Sequence, residues 1–366
     1  MASSISQSIP GLGGLTSYQK FVREEGIDSI SGLGVQDLKS VPLKPWPRMG
    51  GEGVYIDLDG TILQGEATIG QTNNAYICEI LPGKNLIPQR QICEELIFVL
   101  SGRGATTVWT QEGKKQTFEW QEGSLFSPPL NAWHQHFNGS GSKVARFLAV
   151  TNLPLIVNLF HNYDFIFNND FVFTDRYGGE DDYFSGKGQA YPGRVWDTNF
   201  VADVYNFKLI DWKERGAGGA TIMFEIANNT MCAHISEFPA GTYKKAHRHG
   251  PGAHVIILSG HGYSLLWLEG GKKEKFDWRA GSVVVPPDRW FHQHFNTGKE
   301  PVRYLALRWG SRKFSTAREE EKIAKSVALG GDQIEYLDEE EEIYALFKSE
   351  CAKSGVQVNW SPKSAT

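Results

Sequence analysis

Two stretches of this 366-residue chain repeat each other at a constant offset of 158 positions. Gly83 pairs with Gly241, Gly102 with Gly260, Gly104 with Gly262 and Trp109 with Trp267, and the Gly-Lys-Lys at 113–115 returns at 271–273. Phe118, Trp120, Gly123, Ser124, Pro128 and Pro129 recur as Phe276, Trp278, Gly281, Ser282, Pro286 and Pro287. The run His-Gln-His-Phe-Asn at 134–138 recurs at 292–296. An offset that never slips across such a span marks a tandem duplication, so the fold must contain one unit twice. The unit is β in character: runs such as VYIDL, AYICEIL and ELIFVL alternate with Gly, Pro and Asn turns, as in an antiparallel sandwich or barrel. Glycine, at 40 of 366 residues, fits a turn-rich β protein.

Composition excludes several classes. A net charge of -5 with pI near 6.1 leaves no basic stripe for nucleic acid. No apolar run approaches the roughly 18 residues that would span a bilayer. The start, MASSISQSIPGLGG, lacks the charged and apolar regions of a signal peptide, so a cytoplasmic location is expected. Cys78, Cys93, Cys232 and Cys351 show no C-x-x-C spacing and read as reduced, buried thiols.

The chemistry concentrates in Lys244 to His254, KKAHRHGPGAH. In extended chain His247 and His249 leave the same face, as two ligands of one ion must. Two neutral imidazoles suit iron, copper, nickel or zinc. Surface strands also carry His-x-His pairs, but a second pair, His292 and His294, strengthens the signal. Subtracting 158 from His247 and His249 gives Gln89 and Gln91, and an amide is a poor ligand for a transition metal. The first half is therefore expected to be metal-free, with Glu95 and His134 joining the two glutamines in a polar network.

Each half resembles the cupin barrel, whose motifs are G-x5-H-x-H-x3-E-x6-G and G-x5-P-x-G-x2-H-x3-N. Gly241, His247, His249 and Gly260 fall on the first motif, and Gly281, Pro287, His292 and Asn296 on the second, with Arg289 in place of its last glycine. In the first half Gly83, Glu95, Gly102, Gly123, Pro129, His134 and Asn138 match. The resemblance implies an all-β protein of two tandem cupin (double-stranded β-helix, jelly-roll) barrels. Its implied metal ligands are His247, His249 and His292, because the motif glutamate falls on Ala253.

Cupins with that neutral triad resemble gentisate and hydroxynaphthoate ring-cleaving dioxygenases, although their working site lies in the first barrel. The resemblance thus implies a divalent metal, Fe(II) ahead of Mn, Zn, Ni or Cu, and a dioxygenase taking a small oxygenated, aromatic or enolisable substrate together with O2. The alternatives are a non-catalytic ligand-binding cupin and a Mn- or Zn-dependent isomerase, decarboxylase or lyase. A homodimer or higher homo-oligomer is implied by resemblance alone.

Two histidines stay open. Counted from His249, His254 sits where a fourth ligand would fall; counted back from Gly260 it faces the other way, unless a bulge at 250–252 rescues it. Otherwise it is an ordinary histidine between barrel layers. His294 is either a base near the substrate, or donor to a ligand, or the cap of a carbonyl inside the barrel. Trp290 and Phe291 are candidates for a cavity wall or plain core. Arg248, between the two ligands, should point away from the cavity.

The expected organisation is an N-terminal arm (1–52), a first barrel (53–153), an aromatic-rich segment packed across the barrels or between subunits (154–214), a second barrel (215–312) and a helical tail (313–366). In the tail Thr316 and Glu319 have capping-box spacing and Gly330-Gly331 would stop the helix. Ile343, Leu346 and Phe347 mark a second helix behind the acidic run 338–342.

Overall fold

A computed structural model describes residues 14–62, 71–110, 115–250, 252–314 and 322–361. The first unit contains β1 (Gly51–Ile56), β2 (Asn74–Ile80), β3 (Glu95–Ser101), β4 (Arg103–Trp109), β5 (Gln116–Gln121), β6 (Leu125–Phe126), β7 (Trp133–Asn138) and β8 (Ala145–Thr151). The second contains β9 (Ala220–Ile226), β10 (Met231–Phe238), β11 (His254–Ser259), β12 (His261–Trp267), β13 (Glu274–Arg279), β14 (Val283–Val284), β15 (Phe291–Asn296) and β16 (Val302–Trp309). In each unit a large sheet, ordered β1-β2-β8-β3-β6 or β9-β10-β16-β11-β14, faces a three-stranded sheet, β7-β4-β5 or β15-β12-β13. This is the jelly-roll of a bicupin, and the protein is mostly β-sheet as expected.

The apolar runs explain how the units join. A strand that is apolar at every position needs cover on both faces, and β3, β8, β11 and β16 are buried along almost their whole length. One face of each fills its own barrel: Ile97, Val99 and Phe147 in the first, Val255, Ile257, Tyr304 and Ala306 in the second. The alternate residues Leu96, Phe98, Leu148 and Val150 meet Ile256, Leu258, Leu305 and Leu307 in a single core shared by the two barrels. By contrast β4 alternates buried and open positions, as a strand with one wet face does.

The chain exchanges edges across this interface. Gly34–Val35, which precedes the first barrel, pairs antiparallel with β14 of the second. Phe200–Val201, which precedes the second barrel, pairs in the same way with β6 of the first. The serines beside these edges repeat the symmetry: Ser124 Oγ donates to the Ala202 carbonyl at 3.0 Å and Ser282 Oγ to that of Gln36 at 2.7 Å. Each short edge is thus covered by the leader of the other barrel, which also removes an exposed template for aggregation.

Helix α1 (Ser17–Glu24) is capped by Thr16 and Gln19 and packs on α2 (Leu153–Phe160) and α3 (Tyr163–Phe167) through Tyr18, Phe21, Val157 and Ile166. The segment between the barrels does pack on both: Phe184 stacks on Phe118 with ring centroids 3.9 Å apart, and Trp196 and Phe207 lie against the shared core. In the tail, α4 (Glu341–Lys353) buries Ile343, Phe347 and Cys351 against Tyr243, Tyr263 and Phe295 of the second barrel. The capping box at Thr316 and Glu319 lies outside the described residues; Gly330, with φ 78°, ends a single 3-10 turn at Val327–Leu329. All four cysteines are buried and none forms a disulfide. No described helix is long and apolar enough to cross a membrane.

Candidate metal centre

His247 to His249 is extended chain held beside β15 rather than part of a long ladder. His247 and His292 exchange backbone hydrogen bonds of 3.1 and 2.9 Å, and the Arg289 amide donates to the His249 carbonyl at 3.1 Å. These bonds carry His247, His249 and His292 to one place, where one ligand atom from each lies within 4.8 Å of the others. Arg289 occupies the motif glycine's position with φ 61°, as Asn131 does in the first barrel with φ 57°. The left-handed turn survives without glycine, and Asp332 holds the arginine at 2.9 Å.

The donor set fits a divalent metal. His249 Nδ1 bonds the Gly250 carbonyl at 2.7 Å and His292 Nδ1 that of Trp290 at 3.3 Å, so each ring carries its proton on Nδ1 and leaves Nε2 as a lone pair. Burial, helped by the charge of Arg308, pushes His249 down to about 4; burial and the neighbouring cationic and imidazole groups hold His247 and His292 well below the ordinary histidine range. Three imidazoles neutral at pH 7, with Ala253 in the position of a motif carboxylate, suit borderline first-row metals. His247 differs from its partners: its Nδ1 accepts from Arg215 Nη2 at 2.6 Å, while Arg215 Nη1 donates to Gln333 Oε1 at 2.6 Å.

The first barrel places a cation from the arm where the second has its triad. Arg48 Nη1 donates to Gln89 Oε1 at 3.0 Å, and Arg48 Nε pairs with Glu25 at 2.7 Å. Glu95, pushed up by burial, accepts from the Tyr76 hydroxyl at 2.5 Å. The space left among these groups is about 10 Å³, room for one water. The expected network therefore exists with a different hub. Gln89 binds Arg48 rather than the His134 side chain, whose Nδ1 goes to the Ala132 carbonyl at 3.1 Å.

His254 is not among the clustered histidines. It starts β11 with the same parity as Ile256 and Leu258 and so faces the shared core, fully buried, with Nδ1 donating to the Gly252 carbonyl at 3.1 Å and Nε2 without a partner. The period of the strand corrects its candidacy as a ligand. His294 is buried with Nδ1 2.7 Å from Ser264 Oγ, and that oxygen accepts from Trp278 Nε1 at 2.9 Å. The serine oxygen can hold the imidazole in either tautomer, and burial with the Lys244 charge pushes His294 down to about 3, a weak base. His136, Thr106 and Trp120 reproduce the network at 2.7 and 2.9 Å in the barrel without a triad. This arrangement favours a wall-building role for His294 over the expected base. Phe291 is core against Trp267, and Trp290 packs beside Val255 and Trp278. Arg248 points outward to Asp332 and Glu269, at 2.9 and 2.7 Å.

Beside His247 and His249 opens a cavity of about 360 Å³ lined also by Arg215, Lys244, Tyr304 and Arg308. Lys244 is 3% exposed and has no carboxylate partner among the described residues: its Nζ reaches Ser236 Oγ at 2.9 Å and the Tyr304 hydroxyl at 3.3 Å. Burial lowers the ammonium's pKa; for Tyr304 burial is the largest single effect and opposes ionisation, but the charges of Lys244 and Arg215 and the bonds to Ser236 and Lys244 together outweigh it and lower the phenol as well. The tail packs against this segment, since Gln333 bridges to His247 and the Ile334 amide donates to the Ala246 carbonyl at 2.9 Å, and Ile323 and Ala324 line the cavity. None of these residues was singled out from sequence. Lys244 alone left a signal, three positions before His247.

Fold and site together define a two-barrel, cupin-like fold with, among the described residues, one cluster of three histidines that could hold a metal ion. Neither any protein-family profile nor any curated protein matches the sequence. Among solved structures the chain is similar in fold to the oxalate decarboxylase of Lactobacillus farciminis in a formate complex, with TM-score 0.52, 15% identity, and coverage of 82% of this chain and 93% of that one. It is also similar to a tryptophan-to-phenylalanine variant of the B. subtilis oxalate decarboxylase, at TM-score 0.51, 15% identity and 91% and 88% coverage. A third, studied for the Mn(II) centres of the Bacillus subtilis enzyme, gives TM-score 0.50, 14% identity and the same coverage.

Proposed function

We propose that the second barrel is a divalent-metal centre that cleaves a carbon–carbon bond of a small, anionic, chelating substrate without consuming oxygen, as a decarboxylase or related lyase. His247, His249 and His292 would hold the metal, which when bound supplies a Lewis acid that polarises the substrate's oxygens. Lys244 and Tyr304 supply the proton. Their depressed pKa values bring an ammonium and a phenol toward neutral pH at 3.3 Å, where one can protonate the carbon left when carbon dioxide departs and the other can recharge it.

The observation that carries this reading is the neutral triad, two of whose histidines, His247 and His249, line a cavity that contains a buried lysine with no carboxylate partner among the described residues. The shared fold with Mn(II) oxalate decarboxylases supports Mn(II) and a lyase over the expected Fe(II) dioxygenase. The ring-cleaving dioxygenase remains the second reading, favoured by Ala253, which leaves an all-histidine donor set. Metal-free protein reconstituted with Mn(II) or Fe(II) should be offered dicarboxylates and gentisate-like diols in an oxygen-electrode cell. Carbon dioxide release without oxygen uptake supports the lyase, and uptake matched to turnover supports the dioxygenase. Metal content well below stoichiometric, and unchanged by His249→Ala, would overturn both.

A further inference from the structure

We propose that the substrate carries a second carboxylate, in addition to its metal-chelating end, which is received by Arg194 and Arg308. This deepens the metal-centre reading and rests on it. The cavity, at about 360 Å³, is larger than a two-carbon chelator needs. Five cationic side chains line it, Arg194, Arg215, Lys244, Arg308 and Arg312, against one carboxylate, Glu214. Cations in such surroundings are ordinarily paired. Here Arg215 is held by neutral Gln333 and His247, and Lys244 by two hydroxyls.

Arg308 Nε is buried without a hydrogen-bond partner. The Arg194 guanidinium lies 4.6 Å above the Trp212 ring, a stacking that leaves its N–H edge open, and Arg312 Nη1 ties the same loop by donating to the Gly193 carbonyl at 2.7 Å. Neither Arg194 nor Arg308 has a carboxylate partner among the described residues. Met223 and Trp212 also line the cavity and give it apolar wall suited to a short carbon chain. Planar guanidinium forks match carboxylate oxygens in pairs.

The test is calorimetric titration of Mn(II)-loaded protein with isosteric pairs: 2-oxopentanoate against 2-oxoglutarate, and 2-oxohexanoate against 2-oxoadipate. In each pair a terminal methyl becomes a carboxylate while the chelating end stays the same. At least one diacid should bind about tenfold more tightly or better than its monoacid, the worth of one charge-assisted hydrogen bond. Arg308→Gln and Arg194→Gln should each erase most of that preference and leave metal content at the wild-type level. Arg194→Gln, in a half-exposed loop, keeps the test decisive if the strand substitution unfolds the barrel. Failure of any diacid to outbind its monoacid, or a preference that survives both substitutions, overturns the proposal. Because the readout is a ratio within each pair, it can be repeated on metal-free protein. Failure to bind Mn(II) sinks the metal-centre reading, and failure of the ratio sinks the second carboxylate.

Discussion

Replacing His254 by leucine should leave the metal in place and make the protein more resistant to acid. The ring is fully buried in the core between the barrels, its Nε2 has no partner, and burial pushes it down to about 4. Between that value and the ordinary histidine pKa of about 6.5 the unfolded chain binds a proton that the folded chain refuses, so stability falls as pH falls. At pH 5 the deficit from this residue is about 2 kcal/mol, and near pH 7.5 it is close to zero. Leucine removes it. At pH 7.5 the substitution gives up the bond to Gly252, roughly 1 kcal/mol, and relieves an unsatisfied buried nitrogen worth about 1–3 kcal/mol. The equivalent position in the first barrel is Leu96, also fully buried, so the site suits that side chain. Urea midpoints of metal-free wild type and His254→Leu should be compared at pH 7.5 and 5.0, the other histidines being common to both proteins. The advantage of the variant should grow by about 2 kcal/mol on acidification. An equal advantage at both pH values would refute the neutral buried ring, and loss of bound metal would make His254 a ligand after all.

His294→Ala should keep its metal and lose about 1–3 kcal/mol of stability, because Ser264 and Trp278 are left with an incomplete network; metal analysis beside thermal unfolding reads both, and metal loss would contradict the placement. Arg215→Met should tighten Mn(II) binding by roughly tenfold or more, because a guanidinium beside His247 repels a dication and holds the Nδ1 lone pair. Chelator competition measures it, and weaker binding would show instead that Arg215 orients the ligand. Arg48→Met should destabilise the protein by about 2 kcal/mol, since Glu25 is left largely buried without its partner, yet leave the metal content of the second barrel unchanged.

The duplication and the β character were legible because a fixed offset and uniformly apolar runs survive any detail of packing. The same runs carried the inter-barrel interface, as ELIFVL and HVIILS are apolar on both strand faces. The triad was legible because the bonds between His247 and His292 are local consequences of the repeat. Arg48 was not, since it enters from an arm outside the repeat, and Gln333 was not, since the tail has no counterpart in the first half. Tyr304 and Arg308 share β16 with Leu305 and Leu307, and only the register of that strand shows which side chains reach the cavity. Neutral imidazoles suit several first-row metals, so ligand type alone does not separate Mn(II) from Fe(II).

The two barrels balance charge in opposite ways. The first keeps Glu95 and sets the Arg48 charge against it. The second has Ala253 where that glutamate would be and surrounds its triad with Arg215, Lys244 and Arg308. A dication there adds positive charge to a site that already has an excess of it, and only an entering anion can offset both. Metal and substrate should therefore bind cooperatively, each tightening the other by the same factor, because coupling between two binding equilibria is reciprocal. Titrating Mn(II) with and without saturating 2-oxoglutarate, and the acid with and without Mn(II), measures that factor twice. A metal affinity indifferent to the anion would mean that the cationic wall and the triad serve separate purposes.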